Sequence, residues 1–551
     1  MAAPYGDITS KKKTAQSQAI PGREAEMEKN NAGGYTFLSN DWDQLLRFLI
    51  IGSIGGTYYV TQNKLTLDNT SHIKGLVKED GIRVVNEVVR VSDEGLALRN
   101  DPALFVLAIC AADGNIDVRQ HALENLPKVA RTATHLFTFI SYVKEMRGWG
   151  RALKNAVANW YQKRKAPSLA YQIVKYRNRE GFTHRDVLRL TKPKPKDDEH
   201  DFLYGYAANK VVFDDGKFIK SEKDAKDTVI QLPAGLDIIK GVELIKQEGL
   251  SRTQVVNLIS DYNLTHEMIP NEYKGEPVVW EALLERMPLT AMIRNLGKMT
   301  SIGLLKPMSN ASKLVVNKLR DQEYLQKSRV HPIAVLIALK VYANGAGIKG
   351  SLAWNPVQTI NDALEGGFYK AFKNVEPTGK NTLLALDVSG SMGWNDVMGI
   401  NFMKCSELTA AMALVTANVE PNYMIFGFSD RFKALDISAS DSLIDATRKV
   451  ANRTFGRTDC ALPMEYAKQQ KLDVDSFFIY TDNETWAGRI QPSQALIAYR
   501  KKSGNDAKLA VIAAAATRFT IADPKDPGML DVCGFSSDTP KVLSEFSKGN
   551  L

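Results

Sequence analysis

The spacing of apolar residues changes near Pro377, and this change divides the chain into two kinds of structure. From Trp42 to about Gly345, apolar residues recur three and four positions apart, which is the periodicity of one face of a helix. Prolines interrupt this pattern at intervals that suit pairs of short helices. A long run of stacked short helices predicts an α-solenoid of irregular repeats, although the sequence shows no strict period.

After Pro377, short apolar segments alternate with helical patterns. The apolar segments predict buried strands at residues 382–388, 422–428, 474–480 and 508–514. The helical patterns between them lie at residues 397–418, 442–452, 462–470 and 493–502. This alternation predicts an α/β domain whose mostly parallel sheet is covered on both faces.

Three regions are therefore expected. Residues 1–35 are polar without sustained periodicity and predict a flexible N-terminal arm, residues 36–375 form the helical domain, and residues 376–551 form the α/β domain. The formal net charge is +9, and residues 376–551 hold 19 Lys and Arg against 21 Asp and Glu, so residues 1–375 carry +11. A partner rich in phosphate would be attracted to the helical domain. Scattered surface lysines are the alternative explanation.

The chain has no feature of an exported or membrane protein. Its apolar stretches fall far below the roughly 20 residues that span a bilayer. Polar residues follow the basic N-terminus where a signal peptide needs an apolar core. Four widely spaced cysteines without a Cys-x-x-Cys pair predict neither a disulfide framework nor a zinc cluster. We expect a cytoplasmic protein with no membrane partner.

Oxygen-bearing side chains are concentrated in three loops of the predicted α/β domain. Asp387, Ser389 and Ser391 follow the first strand, a later loop contains Thr458, and Asp482 follows another strand. Ligands of such sheets bind beyond the carboxyl ends of the strands, and these oxygens suit a divalent metal ion, Mg²⁺ or Mn²⁺. Together the five residues resemble the metal-ion-dependent adhesion site of von Willebrand factor type A domains. Turn and helix-cap hydrogen bonds are the alternative role for the serines.

Hydrolysis at this predicted site is disfavoured. All seven histidines precede the α/β domain, so the site has no local imidazole base. The chain also has no evident pair of nucleophile and base, and we therefore expect no enzymatic activity.

Cations and aromatic residues alternate in the middle of the helical region. Lys163, Arg164 and Lys165 follow Trp160-Tyr161, and Lys175 precedes Tyr176. RNA-binding surfaces commonly combine cations that hold phosphates with planar groups that stack on bases. An exposed helix face with long cationic side chains is the alternative.

Short motifs distributed along the chain occur in order between about residues 30 and 540. They are Gly55–Tyr59, Thr134–Phe139, Trp149–Leu153, Met287–Ala291, Arg294–Thr300, Val375–Lys380, Thr481–Thr485 and Phe519–Pro524. Together they resemble the Ro autoantigen family. The resemblance implies a TROVE domain of HEAT-like helical repeats, bent into a ring and closed by a von Willebrand factor A domain.

The resemblance also implies a function in the metabolism of small noncoding RNA. Y-like RNA would bind the outer surface of the ring, through Lys175, His184 and Arg185 with Lys163–Lys165 beside them. Single-stranded ends of misfolded RNA would enter the central hole, for RNA quality control or processing. An exoribonuclease tethered through the RNA is a candidate partner, and the protein is expected to be a monomer.

Arg294 and Lys298 are candidates for the surface of that hole. They are four residues apart and would share a face if the segment is helical, although pairing with carboxylates of the repeats is the alternative. The competing function is a metal-dependent protein–protein adhesion or assembly module, in which the metal site captures a carboxylate of a partner and the helices are only a scaffold.

Overall fold

The computed structural model describes residues 13–30, 32–38, 41–51, 71–93, 100–220, 228–347, 351–394, 396–397, 400–451, 458–481, 485–513, 519–533 and 539–549. Within these ranges the helices, α1 to α23 in chain order, are Asp41–Ile51, Ser71–Asp93, Asp101–Asp113, Ile116–Val129, Ala133–Met146, Arg151–Gln162, Ala166–Lys175, His184–Thr191, Asp198–Ala207, Asp237–Leu244, Arg252–Tyr262, Pro277–Arg286, Leu289–Ser301, Asn310–Arg320, Gln322–Ser328, Pro332–Asn344, Gln358–Lys370, Gly390–Trp394, Cys405–Val419, Leu443–Ala451, Leu462–Gln470, Pro492–Ser503 and Thr539–Lys548. The strands, β1 to β16, are Met27–Lys29, Tyr35–Leu38, Asn178–Arg179, Phe182–Thr183, Val211–Asp214, Lys217–Lys220, Thr228–Ile230, Thr382–Asp387, Asp396–Val397, Ile400–Lys404, Tyr423–Phe428, Phe432–Ala434, Ser476–Thr481, Lys508–Ala513, Phe519–Thr520 and Met529–Cys533.

One compact unit comprises residues 70–318 and 345–362 and is mainly helical. Its neighbouring helices pack on one another: α2 contacts α3 and α4, α4 contacts α6, and α6 contacts α8. Helix α3 is buried from Pro102 to Ala112 and so forms part of the core on every side. No helix in the described ranges is long and apolar enough to cross a membrane.

Local hydrogen bonds determine where α8 begins and ends. The Thr183 hydroxyl accepts from the N–H of Asp186, whose carboxylate accepts in turn from the N–H of Thr183. This capping box satisfies two N–H groups at the start of the helix. Lys192 ends the helix in a left-handed conformation with φ of 45°. These two ends determine the positions of Arg185, in the first turn of α8, and of Lys192, directly after its last residue.

The other compact unit contains the α/β fold, with a six-stranded sheet in the order β12-β11-β8-β13-β14-β16. All its pairings are parallel except β11 with the edge strand β12. Every residue of β8 is buried, as expected for a central parallel strand covered on both faces. The prediction of helical repeats followed by an α/β domain with a mostly parallel sheet is confirmed.

This second unit extends beyond the boundary drawn on the sequence at residue 375. It also includes residues 319–344 and 363–375, because α16 packs on β10 and Lys340 pairs with Glu407. Tyr369 adds a contact, since its hydroxyl accepts a 2.8 Å hydrogen bond from the N–H of Leu443. Helices that resemble the repeats in sequence therefore pack with the α/β elements.

The prediction of a flexible arm at residues 1–35 needs correction for the part that the structure describes. Ile20, Met27 and Phe37 form a small buried core. Strands β1 and β2 pair with each other, and β2 pairs with β15 of the α/β unit. Arg23 adds a buried ion pair with Asp523. This packing could not be predicted from the polar composition of the segment, because its partners lie near the other end of the chain.

Two local predictions also differ from the structure. The helix predicted over residues 397–418 begins only at Cys405, because residues 400–404 form β10 and pair with β9. For residues 191–214, the Lys- and Asp-rich composition predicts a loop, but the segment contains α9 and β5. In α9 the aromatic residues Phe202 and Tyr204 are buried. The many Lys and Asp residues around them led to the prediction of a loop.

Candidate nucleic-acid interface and metal site

Asp387 ends the central strand β8 and is fully buried. Its Oδ1 accepts a 2.9 Å hydrogen bond from the N–H of Ser389, and its Oδ2 accepts one of 2.9 Å from the hydroxyl of Thr481 on the neighbouring strand β13. The parallel pairing of β8 and β13 brings these two strand ends together. Asp387 therefore lies at the carboxyl edge of the sheet, where the sequence placed it.

Thr458 is 6% exposed and lies in a loop that is fixed at the same edge. Its carbonyl accepts from the N–H groups of Trp486 and Ala487, at 3.1 and 3.2 Å. The N–H of the next residue, Asp459, donates to the carbonyl of Ser429, which follows β11. The loop is thus held against both the sheet and the segment after β13.

The structure describes only part of the predicted metal site. Ser389 is half-buried and Ser391 lies in α18, whereas Asp482 lies outside the described residues. In the described part of the chain, no three His, Cys, Asp or Glu residues are grouped as metal ligands would be. The predicted ligand set therefore stays a prediction.

The chemistry of the placed donors is compatible with a hard divalent ion. Asp387, Ser389 and Thr458 offer only oxygen atoms, which suit Mg²⁺ or Mn²⁺. Cys460 is close by, with its Sγ 4.0 Å from the Thr481 hydroxyl. Burial, with the charge of Asp387, raises the pKa of the Cys460 thiol well above its usual value, so the thiol is neutral in this structure.

In the helical unit, Lys175 is half-buried at the end of α7. Its Nζ lies 3.2 Å from Oε1 of Glu267 and donates a 3.0 Å hydrogen bond to the hydroxyl of Tyr171. The ammonium also lies 5.1 and 5.4 Å from the ring centroids of Tyr171 and Tyr176. Desolvation opposes the charged form, but these partners raise the pKa of Lys175 above its usual value. Lys175 is therefore a charged side chain whose position is fixed by Glu267 and by two tyrosines.

His184 and Arg185 are adjacent in sequence but differ in environment. His184 is 3% exposed, bonds through Nδ1 to the Tyr161 hydroxyl at 2.8 Å, and packs edge-on against Phe137. Burial lowers the pKa of His184 to about 4, so its ring is neutral at pH 7. Arg185 is exposed. A direct contact of His184 with RNA stays a prediction. In this structure the side chain of His184 packs in the core of the helical unit.

Lys163, Arg164 and Lys165 form the turn between α6 and α7. Lys163 and Lys165 are exposed. Arg164 stacks over the buried ring of Trp160, 3.8 Å from its centroid, and its Nη2 donates to the carbonyls of Ala130 and Arg131. Desolvation lowers the pKa of Arg164 to about 10. Arg164 fixes the turn, whereas the two lysines face solvent.

Arg294 and Lys298 both lie in α13, so the predicted helical spacing is confirmed. Arg294 is exposed and Lys298 is half-buried. Among the described residues neither forms an ion pair with a carboxylate. Gly297 between them packs on Trp354, since an added Cβ would lie 2.6 Å from the ring. Their assignment to a central hole stays a prediction.

Sequence reasoning missed three lysines beside the turn at Lys163–Lys165. Lys192, Lys194 and Lys196 alternate with prolines after α8 and are exposed. Their signal in the sequence is the Lys-Pro-Lys-Pro-Lys motif itself.

Comparison with known proteins agrees with this architecture. Residues 28–341 match the model of the TROVE domain, and residues 381–547 match that of the Ro60 vWA domain. A protein of Caenorhabditis elegans named "RNA-binding protein RO60" is 36% identical over 589 residues, which cover 95% of this chain and 90% of the relative. A protein of Deinococcus radiodurans with the same name is 38% identical over 528 residues, covering 95% of this chain and 96% of the relative.

A solved structure is also similar. The crystal structure of the Deinococcus radiodurans RO (RSR) protein superposes with a TM-score of 0.76 at 37% sequence identity. The match covers 93% of this chain and all of that chain.

Proposed function

Because this chain belongs to the Ro family, in which a TROVE domain is joined to a Ro60 vWA domain, we propose that it is a non-catalytic RNA-binding protein. The observation that carries the proposal is its similarity, over nearly the whole length of both chains, to two proteins named for RNA binding. The +11 charge of residues 1–375 supports the helical part as the RNA-binding part, since phosphate contacts dominate such affinity.

The more specific proposal concerns which RNA is bound. Y-like RNA binds the outer surface of the helical domain near Lys175 and Arg185, and single-stranded ends of misfolded RNA bind near Arg294 and Lys298. The exposure of Arg185 and Arg294, together with the aromatic neighbours of Lys175, supports phosphate and base contacts there. The protein acts as a cytoplasmic monomer in RNA quality control or processing, and an exoribonuclease reaches it through the shared RNA.

A divalent ion at the carboxyl edge of the sheet is a separate part of the proposal. Asp387, Ser389, Ser391, Thr458 and Asp482 would hold Mg²⁺ or Mn²⁺, and the ion would supply an electrophilic centre for a carboxylate of a partner protein. The buried position of Asp387 and its oxygen-bearing neighbours support this. The competing function is a metal-dependent adhesion module. The same metal site would support it if the helices bind no RNA.

The test is to isolate the tagged protein from its own cells after ultraviolet crosslinking and to sequence the RNA recovered with it. Enrichment of a small structured noncoding RNA over an untagged control is expected. Recovery of no RNA above the control, with a protein partner that is lost on chelation of divalent ions, would contradict RNA binding and support the adhesion module.

A further inference from the structure

The N-terminal segment of the chain contacts two loops that are linked to the predicted metal site. The first loop contains Thr458 and Asp459. The second runs from Thr485 to Gly488 and follows Asp482 closely in the sequence. The two loops are bonded to each other, because the carbonyl of Thr458 accepts from N–H groups of the second loop. Contacts of the N-terminal segment with these loops therefore bear on the predicted ligands.

A single side chain, that of Gln16, connects the two loops. Its Nε2 donates a 2.6 Å hydrogen bond to Oδ1 of Asp459, and its Oε1 accepts from the hydroxyl of Thr485. Gln16 is fully buried. Gly488 leaves room for its amide, since an added Cβ at this glycine would lie 2.2 Å from Nε2 of Gln16. One amide group therefore fixes the separation of the two loops.

Two residues between β1 and β2 also contact the second loop. Nδ2 of Asn30 donates a 2.8 Å hydrogen bond to the carbonyl of Thr485, and Oδ1 of Asn30 accepts from the N–H of Gly34 at 2.8 Å. Gly34 approaches so closely that an added Cβ would lie 1.9 Å from the carbonyl oxygen of Thr485. Any side chain at residue 34 would therefore push the two backbones apart. Gln16, Asn30 and Gly34 are called the N-terminal clamp below.

The groups that the N-terminal clamp bonds also fix the backbone after Thr458. The hydroxyl of Thr485 accepts from the N–H of Cys460 at 3.1 Å. Oδ1 of Asp459 accepts from the N–H of Ala461 at 2.9 Å. The N-terminal clamp therefore acts on a hydrogen-bonded network that includes both loops, rather than on either loop alone.

Attachment of the N-terminal segment to the α/β unit does not depend on the N-terminal clamp alone. Arg23 forms a buried ion pair with Asp523, and Lys525 pairs with Glu26. Strand β2 adds its pairing with β15. These contacts hold the segment to residues 519–525, which include no predicted metal ligand. The contacts of the N-terminal clamp are additional, and they are directed at the two loops of the predicted metal site.

Groups that fix the ligands of a metal ion increase its affinity. Partners that orient the ligands from outside the ligand shell typically account for about 10- to 100-fold of metal affinity. A loop that is fixed before binding also loses less entropy when the ion binds. The N-terminal clamp meets this description, because Asp459 directly follows Thr458 and Thr485 lies three residues after Asp482.

We propose that the N-terminal clamp positions the two loops of the metal site, so that docking of the N-terminal segment and binding of Mg²⁺ or Mn²⁺ strengthen each other. This inference rests on the metal-binding part of the proposed function and adds a regulation of that site. Coupling between two binding events is reciprocal, so the ion favours the docked segment by the same factor by which the docked segment favours the ion. Release of the segment would thereby lower the affinity of the site for the ion.

The first test measures Mn²⁺ affinity by calorimetric titration of the full-length protein. Gln16→Ala removes the bridge between the loops, and Gly34→Ala adds a methyl group that displaces residue 34 from Thr485. Ser17→Ala, at an exposed position of the same segment, is the control. The first two variants are expected to bind Mn²⁺ about tenfold more weakly than wild type, whereas the control should match it. Circular dichroism at the temperature of the titration confirms that each variant is folded.

The second test follows hydrogen exchange in the N-terminal segment of the wild type by mass spectrometry. The N–H of Gln16 donates to the carbonyl of Gly488 at 2.9 Å, and the N–H of Tyr35 donates to the carbonyl of Gln16 at 2.7 Å. Exchange of these hydrogens therefore reports release of the segment. Saturating Mn²⁺ is expected to slow it by a similar factor of about ten, because the coupling is reciprocal. Asp387→Asn, which lacks a predicted ligand, should show no slowing.

The outcomes distinguish this inference from the proposed function. If the wild type binds neither Mn²⁺ nor Mg²⁺, the metal-binding part of the proposed function fails, and the inference fails with it. If the wild type binds Mn²⁺ but folded Gln16→Ala and Gly34→Ala bind it equally well, the metal site stands and the N-terminal clamp is only structural. Unchanged exchange of the segment on addition of Mn²⁺ would lead to the same conclusion. If the variants do not fold, the exchange measurement on the wild type decides alone.

Discussion

Gln16 donates a 2.6 Å hydrogen bond from its Nε2 to Oδ1 of Asp459, which lies 443 residues later in the chain. The same amide nitrogen donates to the carbonyl of Ile490, and Oε1 of Gln16 accepts from the N–H of Gly488. Gln16 is fully buried. The N-terminal segment therefore braces the loop that carries Thr458, one of the predicted metal ligands.

Gln16→Ala should destabilise the α/β unit by about 2 to 4 kcal/mol, because it leaves buried polar groups without partners. The melting temperature of the intact protein is expected to fall by several degrees. Gln18→Ala, at an exposed position two residues later, is the matched control and should leave it within about 1 °C. Equal melting temperatures for the two variants in calorimetry would show that Gln16 contributes little.

The helical unit should lose stability in acid through His184. Burial lowers the pKa of His184 to about 4 from 6.5, so folding favours the neutral ring. The stabilisation of the folded state by the neutral ring is complete above pH 6.5. It decreases as the pH falls from 6.5 toward 4, by about 3 kcal/mol in total. His184→Gln should give a flatter fall of melting temperature between pH 6.5 and 4.5 than wild type. An equally steep fall for His184→Gln and wild type would show that His184 is not the group responsible.

The sequence predicted those parts of the fold that are determined by the pattern of residues within one short segment. The unbroken apolar run before Asp387 indicated a buried strand, and the spacing of Arg294 and Lys298 indicated one helix face. The partners of Gln16 could not be predicted, because a single polar residue carries no information about a carboxylate hundreds of residues away. The contact of Lys175 with Glu267 is of the same kind.

Asp387→Asn should abolish binding of Mn²⁺ while RNA affinity stays within about twofold of wild type. The substitution removes the charge that would hold the ion, whereas the proposed RNA surfaces lie in the helical unit. Asparagine can still accept from the N–H of Ser389, so the melting temperature without metal is expected to be unchanged or higher. Calorimetric titration with Mn²⁺ measures the loss, and unaltered Mn²⁺ affinity would exclude Asp387 as a ligand.

Two RNA surfaces in the helical unit should be separable by mutation. Lys175→Ala with Arg185→Ala should weaken binding of a Y-like hairpin and spare a single-stranded 3′ end. Arg294→Ala with Lys298→Ala should do the reverse. Each lost phosphate contact lowers the salt slope by about one unit. Parallel losses for both RNAs with both double variants would mean that the two surfaces are one.

The most direct test of phosphate-led RNA binding is the affinity of the intact protein for a small structured RNA as a function of KCl concentration. Each phosphate neutralised by Lys or Arg contributes roughly 0.7 to 0.9 to the slope of log affinity against log salt concentration. The account predicts a linear fall with a slope of about −3 or steeper. A slope near zero would contradict it, because binding would then not depend on the cations of the helical domain.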